Sequence, residues 1–286
     1  MKKLKLSLIF ILCVFYPISI SGGEQYLRIH FIDAGEGESI FIETPKGRTI
    51  LIDSGNCITG FKVAQYLKKS NIYALDHLIF THPDLDHIGG AFFILQMLKA
   101  QNVYDNGEDL TQSVKSSDIY RWYEALVRKD RNYKTLRAKD TISLDGITLR
   151  VLWPSQPLSF SDYNANSLVI MIEYGKFRCL LTGDLTILGE GEILEAKEDV
   201  GADVLKIGHH AASDANSQRF LTAVSPKIAI ISVNRANIRG YPAQEVLQRL
   251  KKAKVKLYRT DEDGDIVLSV CQSKPKGFKV EINKAQ

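Results

Sequence analysis

From residue 26 the chain alternates apolar and polar side chains, Leu27-Arg28-Ile29-His30-Phe31-Ile32, at the two-residue period of a strand with one buried face. A second strand over residues 39–43 follows a glycine-containing turn. Lys46-Gly47 marks a hairpin that returns through Thr49-Ile50-Leu51-Ile52. Residues 63–69 change to helical spacing, with Val63, Tyr66 and Leu67 on one face. The apolar run His77-Leu78-Ile79-Phe80 predicts a short buried strand that delivers residues 81–90 to a loop. A helix over 91–99 and a strand near Val103 follow, and residues 111–130 carry a helical stripe of Ile119, Trp122, Tyr123, Leu126 and Val127.

From Thr141 the pattern returns to β, with strands over 147–153, 167–174 and 177–181, the last two joined at Tyr174-Gly175. Helical and strand segments then alternate: helices over 188–196, 218–224 and 245–252, strands over 203–207 and 228–233. Strands near Lys256, Ile266 and Val280 close the pattern. Two groups of strands, each followed by helices, predict an α/β architecture of two sheets packed face to face with helices outside. No linker interrupts residues 24–275, so one domain over 22–286 is expected.

The N-terminus is set apart from this pattern. Lys2, Lys3 and Lys5 precede a short apolar stretch over residues 6–16, and Ser19-Ile20-Ser21 offers a small-x-small cleavage site before Gly22. Residues 1–21 therefore read as a signal peptide, and the mature protein is expected to be secreted or periplasmic. The other reading, an envelope anchor left uncleaved, needs a longer span than this stretch provides. No twenty-residue apolar run occurs after residue 25, so no stable membrane span is expected once the leader is gone. Charge changes with it. The whole chain of 286 residues has 37 Lys+Arg against 33 Asp+Glu, and taking away the three leader lysines leaves 34 against 33. That near-neutral balance gives no support to a broad electrostatic preference for nucleic acid. Cys57, Cys179 and Cys271 remain after cleavage, none in C-x-x-C spacing, so a thiolate metal site is not indicated.

The informative segment is His82-Pro83-Asp84-Leu85-Asp86-His87, with four side chains of metal-ligating type in six residues after a strand. His82 and Asp84 stand two apart and emerge on one side of an extended loop, whereas Asp86 and His87 diverge, which suits two neighbouring ions. Imidazole and carboxylate are the usual ligands of hydrolytic Zn²⁺ or Mn²⁺. As a plain acidic turn capping the next helix, the segment would leave two histidines unexplained. Leu180-Leu181-Thr182-Gly183-Asp184 places a carboxylate at another strand end, and Lys206-Ile207-Gly208-His209-His210 places two imidazoles at a third. His30 and His77 lie inside strands and read as structural.

These residues carry a resemblance. His82-x-Asp84-x-Asp86-His87 is similar to the H-x-D-x-D-H motif of the hydrolase domain of ComEC-type competence proteins, a branch of the metallo-β-lactamase fold. Further matches are residues 30–38, Leu51-Ile52-Asp53-Ser54-Gly55, Asn166-Ser167-Leu168-Val169, Leu181-Thr182-Gly183-Asp184, residues 206–210 and residues 258–264. The resemblance implies an αββα sandwich of two mixed sheets flanked by helices, with the site at one edge. It implies metal ligands His82, Asp84, Asp86, His87, Asp184 and one of His209 and His210. His210 is favoured as the ligand, with His209 beside it to bond a substrate's anionic oxygen. Asp184 would bridge two divalent ions, Zn or Mn, and Asp86 would also orient the attacking water. Lys206, Asn166 and Ser167, all inside matched motifs, are candidate substrate contacts. The implied reaction is hydrolysis of a phosphate ester, commonly a phosphodiester, with nucleic acid as a candidate partner.

The chain also departs from that pattern. Ala211-Ala212 stands where the family has glycine, Glu38 where it has aspartate, and Tyr241 where it has histidine before Pro242. The expected division of ligands is His82, Asp84, Asp184 and His210 around one ion and Asp86, His87 and Asp184 around the other, with a vacancy at Tyr241 that weakens the second site. Other readings that fit an exported chain are a phosphorylcholine-esterase-like hydrolase of envelope head groups and a non-catalytic metal-binding protein. If residues 1–21 are removed on export, mass spectrometry of the mature protein should place its N-terminus near Gly22; an intact Met1 in the envelope fraction would identify an anchor instead.

Overall fold

The computed structural model describes residues 25–35, 37–110, 118–129, 132–271 and 278–283; the expected signal peptide lies outside them. The first half of the chain builds β1 (Leu27–Phe31), β2 (Ile40–Glu43), β3 (Thr49–Ile52), α1 (Gly60–Lys69), β4 (Ala74–Ile79), α2 (Leu85–Ile88), α3 (Ala91–Met97), β5 (Lys99–Asp105), α4 (Asp118–Tyr123) and β6 (Tyr133–Thr135). The second builds β7 (Thr141–Leu144), β8 (Ile147–Trp153), β9 (Val169–Tyr174), β10 (Phe177–Leu181), α5 (Ile187–Glu195), β11 (Val204–Lys206), α6 (Gln218–Val224), β12 (Ile228–Ile231), α7 (Gln244–Lys252), β13 (Lys256–Arg259), α8 (Thr260–Asp263), β14 (Asp265–Val270) and β15 (Phe278–Asn283). Two sheets result, in the orders β15-β14-β1-β2-β3-β4-β5-β6 and β13-β12-β11-β10-β9-β8-β7. Both are mixed, as expected: each pairs antiparallel hairpins with a parallel run.

The alternation along the strands explains the layers. Ile40 and Ile42 face the other sheet and join Ile29, Ile170, Cys179 and Leu268 in a shared apolar layer. Phe41, one residue out of phase, turns to the opposite face and packs with Val63 and Leu67 of α1 and Ile94 of α3. The second sheet behaves alike: Leu181 faces inward, while Leu180 packs outward with Ile193 of α5 and Phe220 of α6. Strands buried on both faces read as continuous apolar runs, which is how they appear in the sequence.

Several short elements escaped the pattern. β6, α2 and α8 have three or four residues, too few to display a period. The described part of the helix expected over 111–130 is α4 followed by a wider π-helical turn over Glu124–Arg128.

Lys206 and Glu38 tie the two sheets together beneath their common edge. Both side chains are 0% exposed and form an ion pair, and the Lys206 ammonium also donates to the Ile207 carbonyl at 2.9 Å. Burial pushes the Glu38 carboxyl up, against the pull of the Lys206 ammonium. Lys206 is thus closed off from any substrate, which corrects its expected role: it is an internal counter-charge. Removing one member of a buried pair strands the other, at a cost of about 3–5 kcal/mol. Lys206→Met should therefore lower the denaturation free energy of metal-free protein by about that amount, and adding Glu38→Leu should recover part of it. Urea denaturation showing Lys206→Met as stable as the parent would return Lys206 to the surface.

Candidate metal centre

Parallel pairing brings the cluster together. β3 and β4 run parallel in one sheet, and β10, β11 and β12 run parallel in the other, so within each set the C-terminal ends lie at one edge. There β3 leads into Asp53, β4 to the 82–87 loop, β10 to Asp184, β11 to His209 and His210, and β12 to Ser232. The 82–87 loop is held from outside itself. Ser54 donates its amide and hydroxyl to the His87 carbonyl, both at 2.8 Å, and the Glu38 amide donates to the Asp86 carbonyl at 3.2 Å. Gly37, at φ +111°, lies so close that a Cβ there would meet the Asp86 carbonyl oxygen at 2.1 Å. A side chain at residue 37 would force the loop away.

Each ring of the cluster is fixed through Nδ1. His87 Nδ1 lies 2.8 Å from Asp53 Oδ2, His210 Nδ1 lies 2.8 Å from the Ser232 carbonyl, and His82 Nδ1 lies 3.0 Å from the Thr81 hydroxyl. Asp53 in turn accepts the Thr81 amide at 2.8 Å and its hydroxyl at 2.7 Å. Outer partners on Nδ1 set the tautomer and leave Nε2 as the ligating atom. The Nε2 atoms of His82, His87 and His210 and Oδ1 of Asp184 are all buried without a hydrogen-bond partner. Such orphans are costly unless something else satisfies them, and imidazole nitrogen with carboxylate oxygen is the donor set of a divalent cation. The residues fit a metal.

Their distances divide the cluster differently from the expectation. His87 Nε2 lies 3.3 Å from Asp184 Oδ1, and His210 Nε2 lies 3.4 Å from both Asp86 Oδ2 and Asp184 Oδ2. Asp86, His87 and His210 thus form one group that Asp184 completes, and His82, His87 and Asp184 form another. His210 belongs with Asp86 and His87 rather than with His82. Asp84 stands aside: its carboxylate caps α2 by accepting the Leu85 amide at 2.7 Å and bonds the Tyr163 phenol. Tyr241 stands at the centre's edge: it lines the same cleft as Asp86 and His210, and its ring lies along that of His210 with centroids 6.3 Å apart and planes at 20°.

The charges are strongly coupled to one another. Burial holds the His82 imidazole down to about 4, so it is neutral near neutrality. Burial also works against charge on His87 and His210, but carboxylates outweigh it. Asp184 and Asp53 raise His87 well above its ordinary value, and Asp184 with Asp86 lifts His210 to about 10. In return, against the effect of burial, His210 and His87 hold Asp184 and Asp86 below the usual carboxylate range.

The remaining expected residues frame the centre. His209 Nδ1 pairs with Asp214 Oδ1 at 2.8 Å and its Nε2 lies 3.4 Å from the Asn164 amide, so both nitrogens are engaged, whereas His210 leaves Nε2 without a hydrogen bond. Asn166, expected against substrate, is spent inside the protein: its amide donates to the Phe160 carbonyl at 2.8 Å and to Glu108 Oε2 at 3.2 Å. Ser167 is buried too, and its hydroxyl accepts the Asp184 amide at 3.2 Å. Ser167 thus positions the end of β10, Asn166 ties residues 106–108 to the 160–166 segment, and both side chains are closed to solvent. Sequence reasoning passed over Asp53 and Ser232, the outer partners of His87 and His210. Asp53 stood in a quoted motif, while a carbonyl such as that of Ser232 leaves no mark on a sequence. His30 and His77 lie away from the centre, against Tyr66 and Tyr104.

Comparison with known proteins identifies the family of this fold. The chain is similar to ComE operon protein 3 of Bacillus subtilis, 32% identical over 276 residues, 90% of this chain and 34% of that protein. It is likewise similar to Recombination protein 2 of Haemophilus influenzae, 30% identical over 265 residues, 91% of this chain and 30% of that protein. These are ComEC-type competence proteins, and the chain spans about a third of their length. The metallo-beta-lactamase fold protein YhfI from Bacillus subtilis shares the fold, with a TM-score of 0.55 at 14% identity over 86% of this chain and 100% of that one. A model of the metallo-beta-lactamase superfamily matches residues 32–233, a span that includes every residue of both ligand groups. The chain belongs to the metallo-beta-lactamase superfamily.

Proposed function

We propose that the protein is an exported metal-dependent hydrolase of phosphate esters, phosphodiesters above all, acting as a nuclease or phosphodiesterase. The observation that carries this reading is the convergence of four orphaned ligand atoms, on His82, His87, His210 and Asp184, beside the Asp86 carboxylate. His82, Asp86, His87, Asp184 and His210 would hold divalent ions, with Asp84 in reach only if it leaves its cap. Bound there, such ions supply hydroxide near neutral pH and polarise a phosphoryl oxygen. Asp53 and the Ser232 carbonyl keep the His87 and His210 rings aimed inward, and the Asp86 carboxylate orients the attacking water. His209, braced by Asp214 on Nδ1, would donate to an oxygen of the substrate only by exchanging its Asn164 contact for it. Water adds to phosphorus and the ester oxygen departs with a proton. The names of the relatives, which speak of recombination and competence, favour a nucleic-acid ester. The near-neutral charge favours recognition at the site over tracking along a strand.

Metal content tests the ligand set. Asp86→Ala and His87→Ala should each lose metal by elemental analysis and lose hydrolysis of a phosphodiester substrate, with circular dichroism unchanged. Equal metal stoichiometry in parent and both variants would defeat the assignment. Affinities should be unequal, since Asp86, His87, Asp184 and His210 make a complete set of four and His82 has only shared partners.

The sign of the pH dependence follows from the imidazoles. His87 and His210 hold protons in the metal-free site, and ligation needs their neutral forms. Metal uptake should release protons, and affinity should rise with pH from neutrality toward about 10, the value for His210. Calorimetry in buffers of different ionisation enthalpy measures the protons directly, and no release at neutral pH would refute this account.

A further inference from the structure

The His82 side of the centre is the incomplete one. Asp86, His87, Asp184 and His210 form a set of four, while His82 meets only His87 and Asp184, which that set also uses. Structural zinc sites close on four protein atoms, and catalytic ones on three with a place left for water or substrate. One more buried atom without a hydrogen bond stands at this side, the side-chain oxygen Oδ1 of Asn164. Such an oxygen costs free energy unless something satisfies it, and amide carbonyls are ligands of divalent cations.

Asn164 is placed by the turn that leads into β9. Its carbonyl accepts the Ser167 amide at 3.0 Å, and its backbone amide donates to Asp162 Oδ1 at 3.2 Å. The same turn is fastened to both neighbours of the His82 side. The Ser167 hydroxyl accepts the Asp184 amide at 3.2 Å, and the Leu168 amide donates at 2.9 Å to the carbonyl of Thr81, one residue before His82. Tyr163, next to Asn164, lays its ring along that of His82, with centroids 6.2 Å apart and planes at 21°. On a third side stands His209, whose Nε2 lies 3.4 Å from Asn164 Nδ2. Asn164 is therefore set among His82, Asp184 and His209. His209 also explains which end of the amide is left over. Its Nδ1 faces Asp214, so the neutral ring carries its hydrogen there and offers a lone pair at Nε2. The Asn164 NH2 group turns to that lone pair, and Oδ1 goes unpaired.

We propose that Asn164 Oδ1 is a ligand of the ion on the His82 side, together with His82 Nε2 and Asp184 Oδ1. This rests on the metal reading above and goes beyond it by one ligand and by a preference among metals. The set joins a neutral carbonyl oxygen to one imidazole and one carboxylate, whereas the other set has two imidazoles and two carboxylates. Fewer nitrogens and a carbonyl oxygen suit harder ions, so Mn²⁺ stands at less of a disadvantage against Zn²⁺ here than at the other position. A neutral oxygen attracts a cation less than a carboxylate does, so this ion is also the weaker of the two.

The test uses the full chain, stripped of metal and titrated with Mn²⁺ alone, followed by calorimetry and by the electron paramagnetic resonance signal of the free ion. The variants are Asn164→Ala and Asn164→Asp. Aspartate keeps an oxygen but has no hydrogen to give His209, so it separates ligation from a brace on that ring. The parent should bind two ions of unequal affinity. Asn164→Ala should weaken the second by at least about tenfold, the loss that even an outer partner of a ligand brings, and leave the first unchanged. Asn164→Asp should hold the second ion at least as tightly as the parent does. The first ion reports that the centre is intact; should Asn164→Ala lose both, Asn164→Asp decides. Asn164→Ala equal to the parent at both ions overturns the proposal. Asn164→Asp as weak as Asn164→Ala overturns it too, by making Asn164 a brace for His209, and so does a parent that takes up a single ion. A parent that binds no divalent ion removes the metal reading of the centre and this inference with it.

Discussion

The centre depends on one buried imidazole held between two carboxylates. His87 is closed to solvent, with Asp53 of the first sheet on Nδ1 and Asp184 of the second near Nε2. The ring therefore joins the two sheets at the edge where their parallel strands end. Desolvated carboxylates of like charge repel strongly at this range, so they persist there only with positive charge between them. Protons on His87 and His210 supply that charge in the metal-free protein, and cations would supply it in the loaded one. The same field that lifts the two imidazoles is thus the field that selects a divalent ion, and the fold has to be rigid enough to keep the carboxylates from moving apart. The inter-sheet apolar layer provides that rigidity, since interiors packed to crystal-like density transmit small displacements rather than absorb them.

Rigidity at the edge carries a conformational cost. His209, His210 and Ala211 follow one another at φ +49°, +51° and +66°, the left-handed region that non-glycine residues enter at about 1–2 kcal/mol each. The turn persists because it is held from several sides: the His209 amide donates to the Gly183 carbonyl, the Gly208 amide to Asn216 Oδ1, and the Ala211 carbonyl accepts from Ala243. Ala211 occupies a conformation better suited to glycine, yet its methyl group is buried in the apolar cluster under α6 and α7. Packing there offsets backbone strain. The outcome is a pair of adjacent histidines facing different ways, His210 into the centre and His209 toward Asp214 and Asn164.

What the sequence made legible followed from residue type and period. The inward and outward alternation around Phe41 and Leu180 was readable because strands impose a period of two, and the 82–87 segment was readable because imidazole and carboxylate crowded into six positions have few other uses. The division of ligands was not readable. Whether His210 sits with Asp86 or with His82 is decided by how β11 approaches β4 across the sandwich, a distance with no trace along the chain. Motif membership was also a poor guide to exposure. Lys206, Asn166 and Ser167 stand in matched segments, yet they are buried supports, because a motif records that a residue is needed without recording which side of the cluster it serves. Asp84 shows the same ambiguity in another form, since a carboxylate two residues from a ligand is equally suited to cap a short helix.

Fold likeness says less about chemistry than these local contacts do. At 14% identity YhfI shares the sandwich, so the sandwich alone does not select a substrate. Selection has to come from the rim, where elements beyond the ligand strands reach the centre. Here that rim is the Asn237-braced loop after β12, which is fastened to the His209–His210 turn by the Ala243 amide and so moves with the ligands or not at all. A net charge of +4 over 286 residues gives little long-range attraction for a polyanion, so discrimination would rest on short-range contacts made after encounter. The narrow cleft beside Asp86 and His210, with room for about one water molecule, confines those contacts to the few groups that line it.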